Sequence, residues 1–358
     1  MIQRKYLIPI GVVALLVAVW TLGWFWFAGE IRTGLQTFAD QQSDGPVAVS
    51  WESVEITGYP TRLFTHIAAP RGAWSGPDGE IRWAGPATTL KFFTDFGRTV
   101  SFSAPGVHSF LFDGGAGPAA RRAIEADNIG LSGRMNFNNE GYLTGLRGLA
   151  TGLDIEIDRQ PVSTLDSAAV DWILSTGAEN PEAIHPAPGG QELTFALSGV
   201  SLAAARLDPN LVDVLGHKLD QLAGQLSVRG ALDPTDLSPG GMARWRDAGG
   251  TLELEDFSLV WGPLQVVGDG TLAVDANLQP VGAFTAQIAG LDRLVDLLET
   301  TGRMRPQQAA IARIALAVLT RAPANGGSPQ ARVPVSIQDR QLSIGPITLL
   351  RLPVISWN

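Results

Sequence analysis

The side chains that could carry chemistry are few and scattered. His66, His108, His185 and His217 have no partner at i+2 to i+4, so a metal centre on any of them would need distant segments to converge. Asp154, Glu156 and Asp158 alternate with Ile155 and Ile157, which puts three carboxylates on one face of a strand. Such a row could bind a divalent cation or, inside a cleft, move protons. It is also what the wet side of a sheet looks like when the other side carries isoleucines, and Glu253 and Glu255 have the same form. Gly268-x-Gly270-x-x-Ala273 has the letters of a dinucleotide loop, but that loop needs a helix starting at the glycines. Leu272 and Val274 alternate as a strand instead, so the glycines are expected to make a hairpin turn. Gly-x-Ser-x-Gly, Walker and His-Glu-x-x-His signatures are missing. The expectation is a chain with no catalytic residues, no metal ligands and no cofactor. A hydrolase assembled from dispersed groups is the enzymatic alternative.

Composition narrows the classes further. With 358 residues, 45% hydrophobic and 17% charged, the chain can bury one large core or two ordinary ones. Its net charge is −9 and its 26 lysines and arginines are dispersed, which leaves no basic footprint for nucleic acid. The lack of cysteine removes disulfides, thiolate zinc sites, iron–sulfur clusters and cysteine nucleophiles together. Forty-one glycines and 23 prolines point to many turns rather than a helical bundle.

What positions the chain is its start. Residues 6–28 carry no charge, and as a helix they would extend about 34 Å at about 1.5 Å per residue, enough for a hydrocarbon core of about 30 Å. A cleaved signal peptide needs a shorter apolar run and small residues before the cut; Trp24, Phe25, Trp26 and Phe27 stand there instead. Residues 6–28 therefore read as a retained anchor. Trp20, Trp24 and Trp26 lie near one interface, and Arg4 and Lys5 hold the short N-terminus, residues 1–5, in the cytoplasm. Residues 29–45 keep helical spacing through Ile31, Leu35 and Phe38 and read as a stalk lifting the body off the surface, with a membrane-lying helix as the alternative.

The body reads as mainly β, a β-rich α+β class of extended antiparallel sheets. Its N-terminal half covers residues 46–175, with a phase slip at Glu52-Ser53 of the kind a bulge makes. Residues 165–175 are ambiguous between helix and strand. Residues 176–190, rich in proline and glycine, are the linker to a C-terminal half over residues 191–358. The clearest pattern lies at residues 249–290. There Leu252 and Leu254, then Phe257, Leu259 and Trp261, then Phe284, Ala286 and Ile288 alternate with other residues. Breaks are expected at Gly262-Pro263, Gly268-Asp269-Gly270, Asp275-Ala276-Asn277 and Gln279-Pro280, as in a meander. A helical hairpin follows at residues 291–321, with apolar stripes Leu291, Leu294, Val295, Leu298 and Ile311, Ile314, Ala315, Val318, Leu319 expected to face a sheet. Trp261-Gly262-Pro263-Leu264 is echoed by Ile344-Gly345-Pro346-Ile347 and more loosely around Gly58-Tyr59-Pro60. That is either a common turn used again or a repeated hairpin unit.

Trp51, Trp74, Trp83, Trp172, Trp245, Trp261 and Trp357 remain outside the anchor, with phenylalanines at 92, 93, 96, 102, 110 and 112. A packed core would use them, and so would a sheet curved round an apolar groove that holds acyl chains. In Trp245-Arg246-Asp247-Ala248-Gly249-Gly250, Trp261-Gly262-Pro263-Leu264, Gly270-Thr271-Leu272 and Leu278-Gln279-Pro280, the chain resembles the proteobacterial envelope family named domain-of-unknown-function family 2125. Residues 51–60 and 342–353 are similar to it too. The resemblance implies an inner-membrane protein with a periplasmic body and brings no catalytic residues. A more distant similarity to AsmA-like envelope proteins, some linked to lipid movement, is an analogy of fold. The expected function is a non-enzymatic, membrane-anchored protein that binds lipid or another apolar ligand in a groove of its sheet. The alternative is a periplasmic scaffold that docks an envelope protein partner.

Overall fold

The computed structural model describes residues 7–42, 47–76, 79–92, 98–113, 121–175, 190–202, 212, 215–230, 232, 236, 238–302, 304–321, 330–344 and 347–357. The chain forms two compact units, Met1–Met135 with Ile155–Gln160, and Asn136–Asp154 with Pro161–Asn358. Arg4, Lys5, His185 and the linker expected at residues 176–190, apart from Gly190, lie outside the described residues.

The first unit opens with α1 (Leu7–Gln42), a single uninterrupted helix. At about 1.5 Å per residue it is about 54 Å long, more than a bilayer core requires. From Val12 to Trp20 every side chain is exposed. Beyond that, Thr21, Trp24, Phe27, Ala28, Ile31, Leu35 and Ala39 are shielded while the other described side chains stay open, a stripe at i+3/i+4 spacing. Residues 29–42 continue α1 without a break, with Ile31, Leu35 and Ala39 half-buried and the other described side chains exposed.

Five long antiparallel runs follow, four of them broken mid-way. β1 (Val47–Ser50) and β2 (Ser53–Thr57) form the first, β3 (Phe64–Ala68) and β4 (Arg71–Gly76) the second, and β5 (Gly79–Ala84) and β6 (Thr88–Phe92) the third. β7 (Thr99–Ser103) and β8 (His108–Asp113) form the fourth, and β9 (Arg121–Phe137) the fifth. One ladder is β2–β3–β6–β7 and the other β1–β4–β5–β8–β9. The breaks fall where Pro70, Pro86 and Pro105 remove ladder donors, so they line up as a crease. His108 sits in that crease, buried and stacked 6.0 Å from Trp83. Its Nδ1 accepts from the Trp83 indole at 3.3 Å, which leaves Nε2–H to donate to the Ala104 carbonyl at 3.0 Å. Leu63, Thr65, Ile67 and Val100 form the buried core of this unit.

The second unit is a meander. β10 (Leu143–Ile157) contributes its part up to Asp154, and its Arg147 pairs with Asp171 of β11 (Gln160–Ser175). β11 then pairs in turn with β12 (Gly190–Leu202), β13 (Lys218–Arg229), β14 (Thr251–Trp261), β15 (Leu264–Val274) and β16 (Pro280–Ala289). After the short β17 (Thr320–Arg321), the ladder continues from β16 through β18 (Gln330–Gln338), β19 (Gln341–Ile344) and β20 (Ile347–Arg351). Residues 165–175, ambiguous in sequence, are strand. They are ladder-paired to β12, so the division between units falls before the expected linker.

The Leu254-to-Phe257 phase slip is a bulge, with Asp256 at φ 50. Trp261↔Leu264 closes a two-residue hairpin over Gly262-Pro263, and Ile344 is ladder-paired to Ile347, while Gly345 and Pro346 of the echo lie outside the described residues. Gly268-Asp269-Gly270 is not a turn: β15 runs straight through it, for a packing reason given below.

Three helices complete the unit among the described residues. α2 (Pro239–Asp247) lies between β13 and β14; α3 (Leu291–Thr300) and α4 (Pro306–Leu319) lie between β16 and β17. The hairpin is present as expected, but Ile311 and Ile314 of the expected stripe of α4 do not pack, and the side chains of Ala315, Val318 and Leu319 lie outside the described residues. Ala309 is fully buried and Ala312 and Leu316 half-buried, whereas Ile311 and Ile314 are each 68% exposed. The helices are joined instead by Arg313, which holds Asp296 and Glu299, both at 2.6 Å.

Candidate functional site

Residues directly opposite in an antiparallel ladder point to the same side of the sheet, so the register assigns each face. In the second unit one side reads, strand by strand, Val170 and Trp172; Leu193, Phe195 and Leu197; Leu222, Leu226 and Val228. It continues through Leu252, Leu254, Phe257 and Leu259; Val266 and Leu272; Phe284 and Ile288; and Val333, Val335 and Ile337. The opposite side holds Thr194, Gln225, Ser227, Glu253, Thr271, Thr285 and Ser336. Arg229 donates to Glu253 at 2.9 Å on that polar side, and the bond raises the guanidinium above its ordinary pKa.

Alternation of this kind normally marks one core face and one wet face. Here the apolar face is not a closed core. Every one of its leucines, valines, isoleucines, phenylalanines and tryptophans named above is only half-buried. Among the described residues nothing covers them completely. These side chains lie on seven neighbouring strands, β11 to β16 and β18.

Glycines shape that face. Gly224, Gly268, Gly270 and Gly282 all fall on it, opposite Phe195, Phe257, Phe284 and Leu272 respectively. A Cβ on Gly224 would come within 3.1 Å of Phe195 Cζ, and one on Gly268 within 2.5 Å of the Thr285 carbonyl oxygen. The glycines let neighbouring rings lie down along the sheet and the strands approach closely. That is why Gly268 and Gly270 stand inside a strand.

One end of the meander is fastened by α2 and the C-terminal segment. Trp245 is 5% exposed and its indole donates to the Arg229 carbonyl at 2.8 Å. Arg246 donates to the carbonyls of Asp275 and Ala276, in the turn that Asp275 organises by accepting from Asn277 and Gln279 N–H, both at 2.8 Å. Gln279 exchanges two 3.0 Å bonds with Ile355, and the Trp357 indole donates to Leu278 at 2.7 Å. Ser238 caps α2, its hydroxyl accepting from Gly241 N–H at 3.2 Å and donating to Asp236 at 2.6 Å. With the Arg244 contact, this holds the Asp236 carboxyl below its ordinary pKa.

The first unit has an apolar recess of its own, about 390 Å³, across β1, β4, β5, β8 and β9 at Val49, Gly72, Trp83, Phe110 and Ile124.

The residues singled out in sequence for chemistry do not come together. His66 is exposed between Thr57 and Thr89, both at 3.1 Å, His108 is engaged in the crease, and His217 is exposed. Asp158 stands in the β10–β11 turn at φ 53, accepting from Arg122 at 2.7 Å and from Ala123 N–H at 3.0 Å. No group of three or more His, Asp or Glu able to hold a metal exists among the described residues. Of the anchor tryptophans, Trp26 is 67% exposed, while the indoles of Trp20 and Trp24 donate to the carbonyls of Pro60 and Arg62. Sequence gave no sign of that contact.

No curated protein matches the chain. The segments at residues 245–250 and 278–280, which carried the family resemblance, are neighbours in the fastening of α2 to the β15–β16 turn. The model of an uncharacterized protein family conserved in bacteria, DUF2125, matches residues 24–353, and the chain belongs to that family.

Proposed function

We propose that this is a membrane-anchored envelope protein that holds the acyl part of a lipid, or a similarly apolar ligand, against the half-buried face of its second-unit sheet. It acts as a carrier and not as an enzyme. The observation behind this reading is that face: seven neighbouring strands with large apolar side chains on one side and mainly polar ones on the other. Leaving such a face in water costs about 25 cal/mol per Å². An elongated apolar ligand lying along the strands removes that cost, and the rings that lie down over Gly224 and Gly270 keep the face low enough for it to do so.

The anchor supports the same reading. A helix spanning Val12–Gln41 with an apolar 18-residue window of mean hydropathy 1.9 keeps the body beside a source of lipid. Cleaving it as a signal peptide would strip Pro60 and Arg62 of their indole donors, which favours retention. Arg4 and Lys5 then place the N-terminus in the cytoplasm and the body in the periplasm by the positive-inside rule.

Native mass spectrometry of the full chain, released from membranes and exchanged through delipidating detergent, tests the reading. Retained phospholipid, lost when a charge is put on the apolar face, supports it; a chain that comes through empty and takes up no acyl probe overturns it. A second reading, a scaffold for a protein partner, is favoured by the outward Ile311 and Ile314 of α4.

A further inference from the structure

We infer that the loop between β2 and β3, residues 58–62, is seated among the phospholipid headgroups of the leaflet on the body's side, so that the first unit rests on the bilayer instead of standing above it. The inference depends on α1 being a retained anchor and adds where the body meets the membrane.

Counted from Tyr6, a hydrocarbon core of about 30 Å takes about 20 residues of helix and ends near Phe25. The loop touches α1 from Trp20 to Phe25, over about the last 8 Å, about five residues at about 1.5 Å each, before that point. The Trp20 indole donates to the Pro60 carbonyl at 2.7 Å and the Trp24 indole to the Arg62 carbonyl at 2.9 Å. Thr21 spends its own proton on the Val17 carbonyl, so the Tyr59 hydroxyl donates to Thr21 Oγ1 at 2.7 Å. The Tyr59 ring stacks on Phe25 at 5.8 Å and meets Trp24 edge-on at 5.5 Å.

The loop backbone is paired from within the protein. The Gly58 carbonyl accepts from Arg62 N–H at 2.9 Å, and those of Pro60 and Arg62 accept from the indoles. What the loop leaves open suits an interface: Tyr59, 46% exposed and amphipathic, and the exposed side chains of Thr61 and Arg62, with a guanidinium complementary to lipid phosphate. Leu22, Phe25 and Trp26 are exposed beside it on α1, completing an aromatic belt.

The chain has no cysteine, so single thiols can be placed for spin labelling. Full-length Thr61→Cys, Leu16→Cys and Ser75→Cys variants would be labelled with a nitroxide in phosphatidylethanolamine–phosphatidylglycerol vesicles. Power saturation would be read against oxygen and a water-soluble nickel chelate. Thr61 and Ser75 are both exposed, so neither change disturbs a core. The expected result is a Leu16 label deep in lipid, a Ser75 label in water, and a Thr61 label about fivefold less accessible to nickel than Ser75, as headgroup depth requires. If Leu16 is deep and Thr61 is as accessible as Ser75, the seated loop is overturned and the anchor stands. If Leu16 itself is open to nickel, the anchor reading fails and this inference fails with it.

Discussion

Phe284 lies across Gly270 on the neighbouring strand, filling the space that a side chain there would need. A Cβ on Gly270 would run into the ring and also come within 2.7 Å of the Ala283 carbonyl oxygen, which cannot rotate away. Gly270→Ala is therefore expected to force the β15–β16 pair apart and to cost about 1–3 kcal/mol, the usual range for overpacking. Urea unfolding followed by tryptophan fluorescence measures it. An unchanged midpoint would mean that the ring is free to leave.

The alternation that places Leu252, Leu254, Phe257 and Leu259 on one face is legible in sequence because side-chain direction in a strand repeats every two residues. The bulge after Leu254 is legible for the same reason, as a slip of phase. Gly268 and Gly270 mislead because glycine marks turns and close strand approaches alike, and only the ladder shows Phe284 lying opposite. Ile311 and Ile314 mislead because helical spacing identifies a stripe without saying whether small residues such as Ala309 and Ala312 make the tighter contact. The half-burial of the large apolar face is a property of what fails to pack on it, which no local pattern encodes.

Leu259→Glu puts a carboxylate in the apolar face between Leu222 and Val266. Leu259 is only half-buried, so the folded chain tolerates the change, while an acyl chain lying there would have to desolvate a charge. Co-purifying lipid per protein should fall about tenfold, equivalent to about 1.4 kcal/mol of binding. Thr271→Glu, on the polar face, should leave it unchanged. Equal loss in both variants would point to general destabilisation instead of a binding face.

Trp245 joins α2 to the end of β13. Trp245→Phe keeps most of the buried ring but leaves the Arg229 carbonyl without its indole donor, an expected loss of about 1–3 kcal/mol. Trp245→Ala also empties the space against Gly230 and Gly250, for about 3–5 kcal/mol. Thermal unfolding of the two variants should rank them in that order below the parent, and similar melting temperatures for all three would show that α2 is not fastened by this residue.

Asp236 sets how far the α2 cap survives acid. Its carboxyl is held below the ordinary value by the Ser238 hydroxyl first and Arg244 second. A depressed folded-state pKa contributes stability that is complete above the unfolded value, near 3.8, and is lost as pH falls through the lower folded value. The Trp245 environment should therefore be insensitive to pH from neutrality down to the ordinary carboxylate range, then loosen below it. In Asp236→Asn that acid-dependent step in Trp245 fluorescence should vanish; its persistence would assign the step to another carboxylate.

Ile311 and Ile314 separate the carrier reading from the scaffold reading. Both point into solvent from α4, so Ile311→Ser with Ile314→Ser removes no core contact, and stability should change by no more than about 0.5 kcal/mol. If the sheet face is the functional surface, the double variant keeps its bound lipid and its activity in complementing a deletion strain. If α4 docks a protein, lipid is again retained but complementation fails, and photo-crosslinks from position 311 to a partner disappear. The two readings thus differ in a single strain, with lipid content and growth measured side by side.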